Sequence, residues 1–409
     1  DFINSTCIKM VGSGTSYSAS IPAGTNSAGA TIKYYAFTSG NVASIAGSDA
    51  DLFTINLMNN TGSNYSYTVA SNFYSKSTGN LQILSNWGTS TDGSGTAPAN
   101  FTSNGVTYNI RNNATPTIGA SWTVSGTGSK IVVGDGTNAC NFTVPGSLIV
   151  TSPATEVSNN ATITRTTSEA NSWGTFIVNN GGKYVHDVNG GSVPTCTWSS
   201  GSIFEVTGIT SAIDFSSGGI QSFHHVTWNC PGQNSIFSFG GLTTINGNLT
   251  VQSTGASPSA SSMLLLTNSS TLTTTVSGNL SITGGYFAPF GGNTSGNCIL
   301  NVSGNLSLAS GTFDIYRPSS NTGTINLSGD FSMTSGTLTK GGSGTGNFNF
   351  SKTGTQTYSK SGGTISNAIN FTVNNGSILS LGTSVIDGST GTFTLSSGAG
   401  LITEHTAGI

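Results

Sequence analysis

"VSGNLSLASGTFDIY" (Val302–Tyr316) nearly repeats "VSGNLSITGGYFAPF" (Val276–Phe290) and returns as "LSGDFSMTSGTLTK" (Leu327–Lys340). Aligned on a Gly-Asn/Asp step, the phrase falls at Gly247-Asn248, Gly278-Asn279, Gly304-Asn305 and Gly329-Asp330, and "SKTGTQTYS" extends the series to Gly354-Thr355. Apolar residues stand two before the first glycine (Ile245, Val276, Val302, Leu327) and two and four after it (Leu280 and Ile282, Leu306 and Leu308, Phe331 and Met333). A second glycine and a further apolar residue close the unit: Gly285 and Phe287, Gly311 and Phe313, Gly336 and Leu338.

A spacing of two places these side chains on one face of an extended strand. The Gly-Asn and Ser-Gly steps are expected to supply positive-φ corners between strands. No segment carries a helical period, and the Ser, Thr, Asn and Gly content opposes helix. Each unit therefore reads as three short strands that cannot bury an apolar face alone; stacked units can. The fold class expected is all-β, a parallel β-helix (β-solenoid) of about 25-residue coils. The rival is an antiparallel sandwich of repeated hairpins, which needs turn signals every 8–12 residues or so; the wider recurrence here favours the solenoid.

Looser versions of the grammar run upstream through "IQSFHHVTWNC", "CTWSSGSIFEVTG", "WGTFIVNNGGKYVHDV" and "ACNFTVPGSLIVTSPATEV". The solenoid is accordingly assigned to residues 79–409 and expected to continue beyond its C-terminus. Residues 1–78 have longer strands and loops, with alternation over Thr31–Phe37 and a closing strand from Tyr65 to Val69. They read as the end of a β-sandwich module, with Ser71–Gly88 as the junction.

Charged residues are 6% of the chain and the net charge is −3. Without a basic cluster there is nothing to neutralise phosphates, so nucleic acid is not an expected partner. No apolar run approaches the roughly 20 residues of a membrane-spanning helix, so membrane insertion is not expected. The five cysteines lack any C-x-x-C pairing, and buried free thiols are expected, with Cys196–Cys230 left open as one pair.

The phrases "YYAFTSG", "DADLFTINL" and "GSNYSYTV", followed by "SNWGTSTDGSGTAPANFTSNGVTYNI" (Ser85–Ile110) and "SGNLSLASGTF", resemble those of large secreted, adhesin-like surface proteins of Bacteroidota. In such proteins a sandwich module leads into Gly/Ser/Thr-rich repeats. The resemblance implies export by the type IX secretion route and display at the cell surface or in a filament. It implies no catalytic residues.

Solenoids also host polysaccharide-cleaving chemistry, which needs clustered carboxylates or a base beside a carboxylate. The candidate set is Lys183, His186 and Asp187 in "GGKYVHDV", with Glu205 one coil on. Alternation argues against His186 and Asp187 sharing a face. His224-His225 is the candidate metal pair. Adjacent strand residues point oppositely, so one ring is expected inward and the other exposed. Trp198 and Trp228 lie about one coil apart, as core or as a carbohydrate platform. "VGDGTN" (Val133–Asn138) and "VIDGSTG" (Val385–Gly391) read as Asp-Gly turns rather than calcium sites. "TLTTTV" (Thr271–Val276) is too uneven for an ice-binding threonine face.

The expectation is thus a non-enzymatic structural and adhesive protein with no assigned catalytic, cofactor or metal residue. It would form an extracellular stalk or filament segment that joins neighbouring domains, end-to-end copies, glycans or secretion machinery. The alternative is a carbohydrate-active enzyme or glycan-binding module.

Overall fold

The computed structural model describes residues 71–406 apart from 167–170, 269–270, 294–295 and 388–389, and before residue 71 only residues 8, 10–13, 15–19, 31–38, 56–58 and 61–68. Cys7 and Val69, the last residue of the expected closing strand, lie outside the described residues.

The chain coils through three parallel faces. The long face is a 12-stranded sheet running from Cys140–Val144 to Gly400–Ile402. The second face begins as a 7-stranded sheet that ends at Thr197–Trp198, and a further 7-stranded sheet from Thr244–Ile245 to Phe393–Leu395 takes it up again. The bridge Phe223↔Ile245 spans the break. The third face holds the pair Trp122–Thr123 and Val150–Thr151, then a 6-stranded sheet from Phe237–Ser238 to Thr364–Ile365. The only helical element among the described residues is the 3-10 turn Leu84–Asn86.

Register makes the repeat physical. Leu249, Leu280, Leu306 and Phe331 are successive partners on the long face, all inward and buried. Aromatic rings stack from coil to coil, Phe287 on Phe313 at 5.6 Å and 10°, and Phe331 on Tyr358 at 5.0 Å and 12°. Burying each such side chain contributes on the order of 1.5–3 kcal/mol, and like-on-like stacking adds ring contact beyond the area term.

The glycines work differently from the expectation. The positive-φ corner is the second glycine of each unit, with φ of 76° at Gly285, 76° at Gly311 and 79° at Gly336. The first glycine is not left-handed; it is required by close approach. A Cβ on Gly304 would lie 2.4 Å from Asn279 Oδ1 and 2.6 Å from the Gly278 carbonyl carbon. The asparagine that follows holds the next coil. Asn248 Oδ1 accepts from the Asn279 amide at 2.9 Å, Asn279 Oδ1 from the Asn305 amide at 2.8 Å, and Asn305 Oδ1 from the Asp330 amide at 2.8 Å. The expected fifth step is also corrected. Phe331 pairs with Tyr358, so Gln356-Thr357 rather than Gly354-Thr355 lies over Gly329-Asp330. Thr357 N–H donates to Asp330 Oδ1 at 3.0 Å, and buried Gln356 donates from Nε2 to the Leu327 carbonyl at 2.9 Å.

Before the solenoid the described strands form antiparallel pairs: Thr31–Tyr34 with Tyr65–Thr68, and Ala36–Thr38 with Asn56–Met58. The parallel sheet starts ahead of residue 79, because Ser71–Ser75 already pairs with Val106–Ile110. Trp87–Gly88 then runs antiparallel along the outer edge of that strand. Fully buried Trp87 sits edge-on to Tyr108 at 5.4 Å and beside Trp122 at 5.6 Å, and its Nε1 donates to the Leu81 carbonyl at 2.8 Å. This aromatic plug closes the N-terminal end of the core. At the other end Leu395 and Ile402 are each 47% exposed.

Gly304→Ala is expected to lower stability by about 1–3 kcal/mol through this overpacking, whereas Gly292→Ala, where no atom lies within 4 Å of the added carbon, leaves the urea midpoint unchanged. Equal effects at the two positions would refute the close-approach account.

Candidate functional site

The residues singled out by sequence are dispersed by the strand alternation of Lys183–His186. Lys183 points outward and its Nζ meets Glu205 Oε2 of the next coil at 2.7 Å. His186 points inward and is fully buried, while Asp187 is exposed and accepts from Thr207 Oγ1 at 3.0 Å. The Lys183–Glu205 ion pair, the imidazole and the Asp187 carboxylate thus occupy separate environments. They do not converge on one substrate atom.

The interior around His186 holds a group the sequence reading missed. Arg165 is the register partner of His186 and is 3% exposed. Its Nη1 donates to the Ser192 carbonyl. The signal was present in "ATITR" (Ala161–Arg165), where inward alternation of Ala161 and Ile163 continues to Arg165. His186 Nε2 lies 2.7 Å from the Gly190 carbonyl, so that nitrogen carries the proton. The ring stands edge-on to Phe215 at 5.1 Å. Burial, aided by the Arg165 charge, pushes the imidazole down to about 4. A neutral histidine beside a buried guanidinium is a packing and hydrogen-bonding arrangement, with the exposed Asp187 carboxylate acting on the imidazole only through its charge.

The histidine pair also departs from expectation. His224 precedes the strand His225–Cys230, so strict alternation does not apply to it. Both rings are half-buried and meet edge to face at 4.3 Å. His225 Nδ1 accepts the Asn248 amide at 3.0 Å, which starts the asparagine ladder, and His224 Nε2 lies 3.3 Å from Ser200 Oγ. Among the described residues no third His, Cys, Asp or Glu joins them. Burial and the neighbouring His224 lower the His225 imidazole.

Trp228 is fully buried on the long face and donates from Nε1 to Gln233 Oε1 at 2.9 Å. Trp198 lies half-buried on the second face against Phe223 at 5.1 Å and Phe204 at 5.6 Å. They belong to different sheets and form no platform. Cys140, Cys196, Cys230 and Cys298 are all free thiols, which rules against the Cys196–Cys230 pair. Burial pushes Cys140 up to about 11 and Cys196 and Cys230 up to about 12, leaving them unreactive near neutral pH.

Carboxylates are engaged mostly as cross-coil ties. Lys130 meets Glu156 at 2.8 Å, Lys352 meets Asp330 at 2.9 Å and Arg111 meets Asp135 at 3.3 Å. Asp135 also caps its turn, accepting from the amides of Asn138 at 2.8 Å and Thr137 at 2.9 Å; these bonds hold it down at about 2. A second group missed by sequence is the clasp of Tyr286, Asp314 and Arg317. Buried Asp314 Oδ2 accepts from Tyr286 Oη at 2.8 Å and Arg317 Nη1 at 3.0 Å, and its Oδ1 accepts the Gly341 amide at 2.7 Å. Burial raises the phenol well above its ordinary range. Each acceptor here is used by the protein itself.

No family model, curated protein or solved structure matches the chain.

His186 sets a pH dependence. An unfolded histidine, near 6.5, binds its proton before the folded one does, so the unfolded state gains as pH falls from about 6.5 to 4. The folded protein should lose up to roughly 3 kcal/mol across that window. His186→Gln is expected to flatten that loss in urea titrations. An unchanged slope in the variant would show that other groups carry it.

Proposed function

We propose that the chain is a structural and adhesive segment of a cell-surface stalk or filament, exported to the outside and holding a binding element away from the cell. The observation that carries this reading is the long face, 12 parallel strands stacked coil on coil with a single register shift, at Trp228/Asn229. Each coil rests on its neighbour through backbone hydrogen bonds and a shared apolar column. Such a stack resists bending and shear, because displacing one coil breaks many bonds at once. Catalysis would require groups brought together with free valence, whereas Lys183, Glu205, Asp314 and Asp330 are engaged in ties to neighbouring groups. The resemblance to secreted Bacteroidota repeat proteins favours type IX export and surface display. Low charge suits a surface packed among copies or coated by glycan.

Two measurements test the reading. Antibody against the solenoid should label intact cells that make the protein; labelling only after permeabilisation would overturn the surface assignment. Single molecules pulled from their ends should yield coil by coil, in contour-length steps of about 80 Å for roughly 25 residues. One all-or-none rupture of the whole stack would remove the mechanical argument.

A further inference from the structure

The outer side of the second face carries a feature that the stalk role does not use. From Thr273–Val276 to Phe393–Leu395 its outward positions line up in register. One column runs Thr275, Asn301, Asn326, Asn349, Thr372 and Thr394. Asn326 Nδ2 donates to Asn301 Oδ1 at 2.9 Å, and Asn349 Nδ2 to Asn326 Oδ1 at 2.9 Å. A parallel column contains Thr324, Asn347 and Asn370, with Asn370 Nδ2 donating to Asn347 Oδ1 at 3.2 Å. The outward strand positions of this face carry no Asp, Glu, Lys or Arg. All but Ile299 are hydroxyl or amide.

A primary amide has two N–H donors and two acceptor lone pairs. The bond to each neighbour along the column uses one of each at Asn326, leaving it one donor and one acceptor for an external partner, whereas Asn370 Oδ1 is filled by the Thr392 amide and hydroxyl and keeps only a donor. The ladder also fixes each amide's orientation before binding, which lowers the ordering cost. The groups recur once per coil, about every 4.8 Å along the axis.

We infer that this face binds a neutral, linear polysaccharide lying along the rod axis. The inference rests on the adhesive reading above and names the ligand class. Sugar hydroxyls are donors and acceptors at once, as the free halves of the amides are, and they repeat along a chain at a step similar to the coil pitch. An anionic polymer would call for Arg or Lys, which the face lacks. A protein partner docking by burial would call for an apolar centre, and Ile299 alone does not make one. Each sugar contributes little without an aromatic platform, so affinity comes from many weak contacts in a row and grows with chain length.

The test uses the whole chain in affinity electrophoresis through gels containing soluble mixed-linkage β-glucan, galactomannan or polygalacturonate. Retardation by at least one of the neutral polymers, increasing with polymer length, and none by polygalacturonate is the expected result. Thr372→Lys places an ammonium in the column without removing a ladder bond, and should weaken retardation at least about tenfold. Ser307→Lys, outward on the long face, should leave it unchanged. Circular dichroism melts establish that both variants are folded, and Asn326→Ser gives a second, milder lesion expected to act in the same direction. No retardation by either neutral polymer, equal retardation by polygalacturonate, or equal loss with Ser307→Lys overturns the inference. A sedimentation shift abolished by Thr372→Lys, without glycan binding, assigns the face to a second copy and also overturns it. The pulling and surface-labelling results stand apart from all these outcomes.

Discussion

The parallel backbone hydrogen bond between one coil and the next is the constraint on which the molecule depends. Because it repeats at a fixed pitch, with a register shift at Trp228/Asn229, strand residues lie over their partners in the preceding coil. Leu306 meets Leu280, Phe313 meets Phe287, and Asn326 meets Asn301. Chemistry in such a molecule is therefore columnar. A side chain's neighbours are set less by its sequence neighbours than by what stands one coil away. The register is pinned by side chains as well as backbone, since Asn248, Asn279 and Asn305 each accept an amide of the following coil.

That geometry ranks the contributions. The apolar column dominates, because residues such as Leu280, Leu306 and Phe331 are almost wholly removed from water. The cross-coil ion pairs are partly exposed, with side-chain exposures of 36% and 29% for Lys130 and Glu156, and each contributes at most about 1 kcal/mol. Their use is steric and electrostatic order: a lysine one coil from a carboxylate neutralises it locally without a long-range field. Glycine at 278, 304 and 329 is a condition of the stacking itself, since any side chain there would enter the coil beneath.

Much of the architecture was legible because period-two alternation and coil-length recurrence are one-dimensional signals of two-dimensional order. They placed Leu280, Leu306 and Phe331 in one column and separated His186 from Asp187. The misreadings occurred where the controlling contact comes from another coil. A Gly-Asn step is locally indistinguishable from a turn, so the close approach at Gly304 could not be separated from a positive-φ demand. Gln356 replaced a glycine by a different solution, a buried amide bonding the Leu327 carbonyl. His224 broke the alternation because the strand begins one residue later. Arg165 was legible in principle, but an arginine at an inward position is easily taken for the end of a strand. The candidate site offered the weakest signal of all, because columns of Asn and Thr are compositionally identical to ordinary loop residues until register aligns them.

The indole of Trp87 gives the stack a direction. With one terminus sealed by its own antiparallel flap and aromatic cluster, the first turns possess a finished surface before later ones form. A turn added next to that pole docks onto an existing template, so the sealed end supplies one place from which growth can proceed. A polypeptide emerging from a narrow conduit with that pole first would consolidate outside as it arrives. The free energy released turn by turn would oppose its backward slide, making the conformational gain itself a ratchet on its own passage.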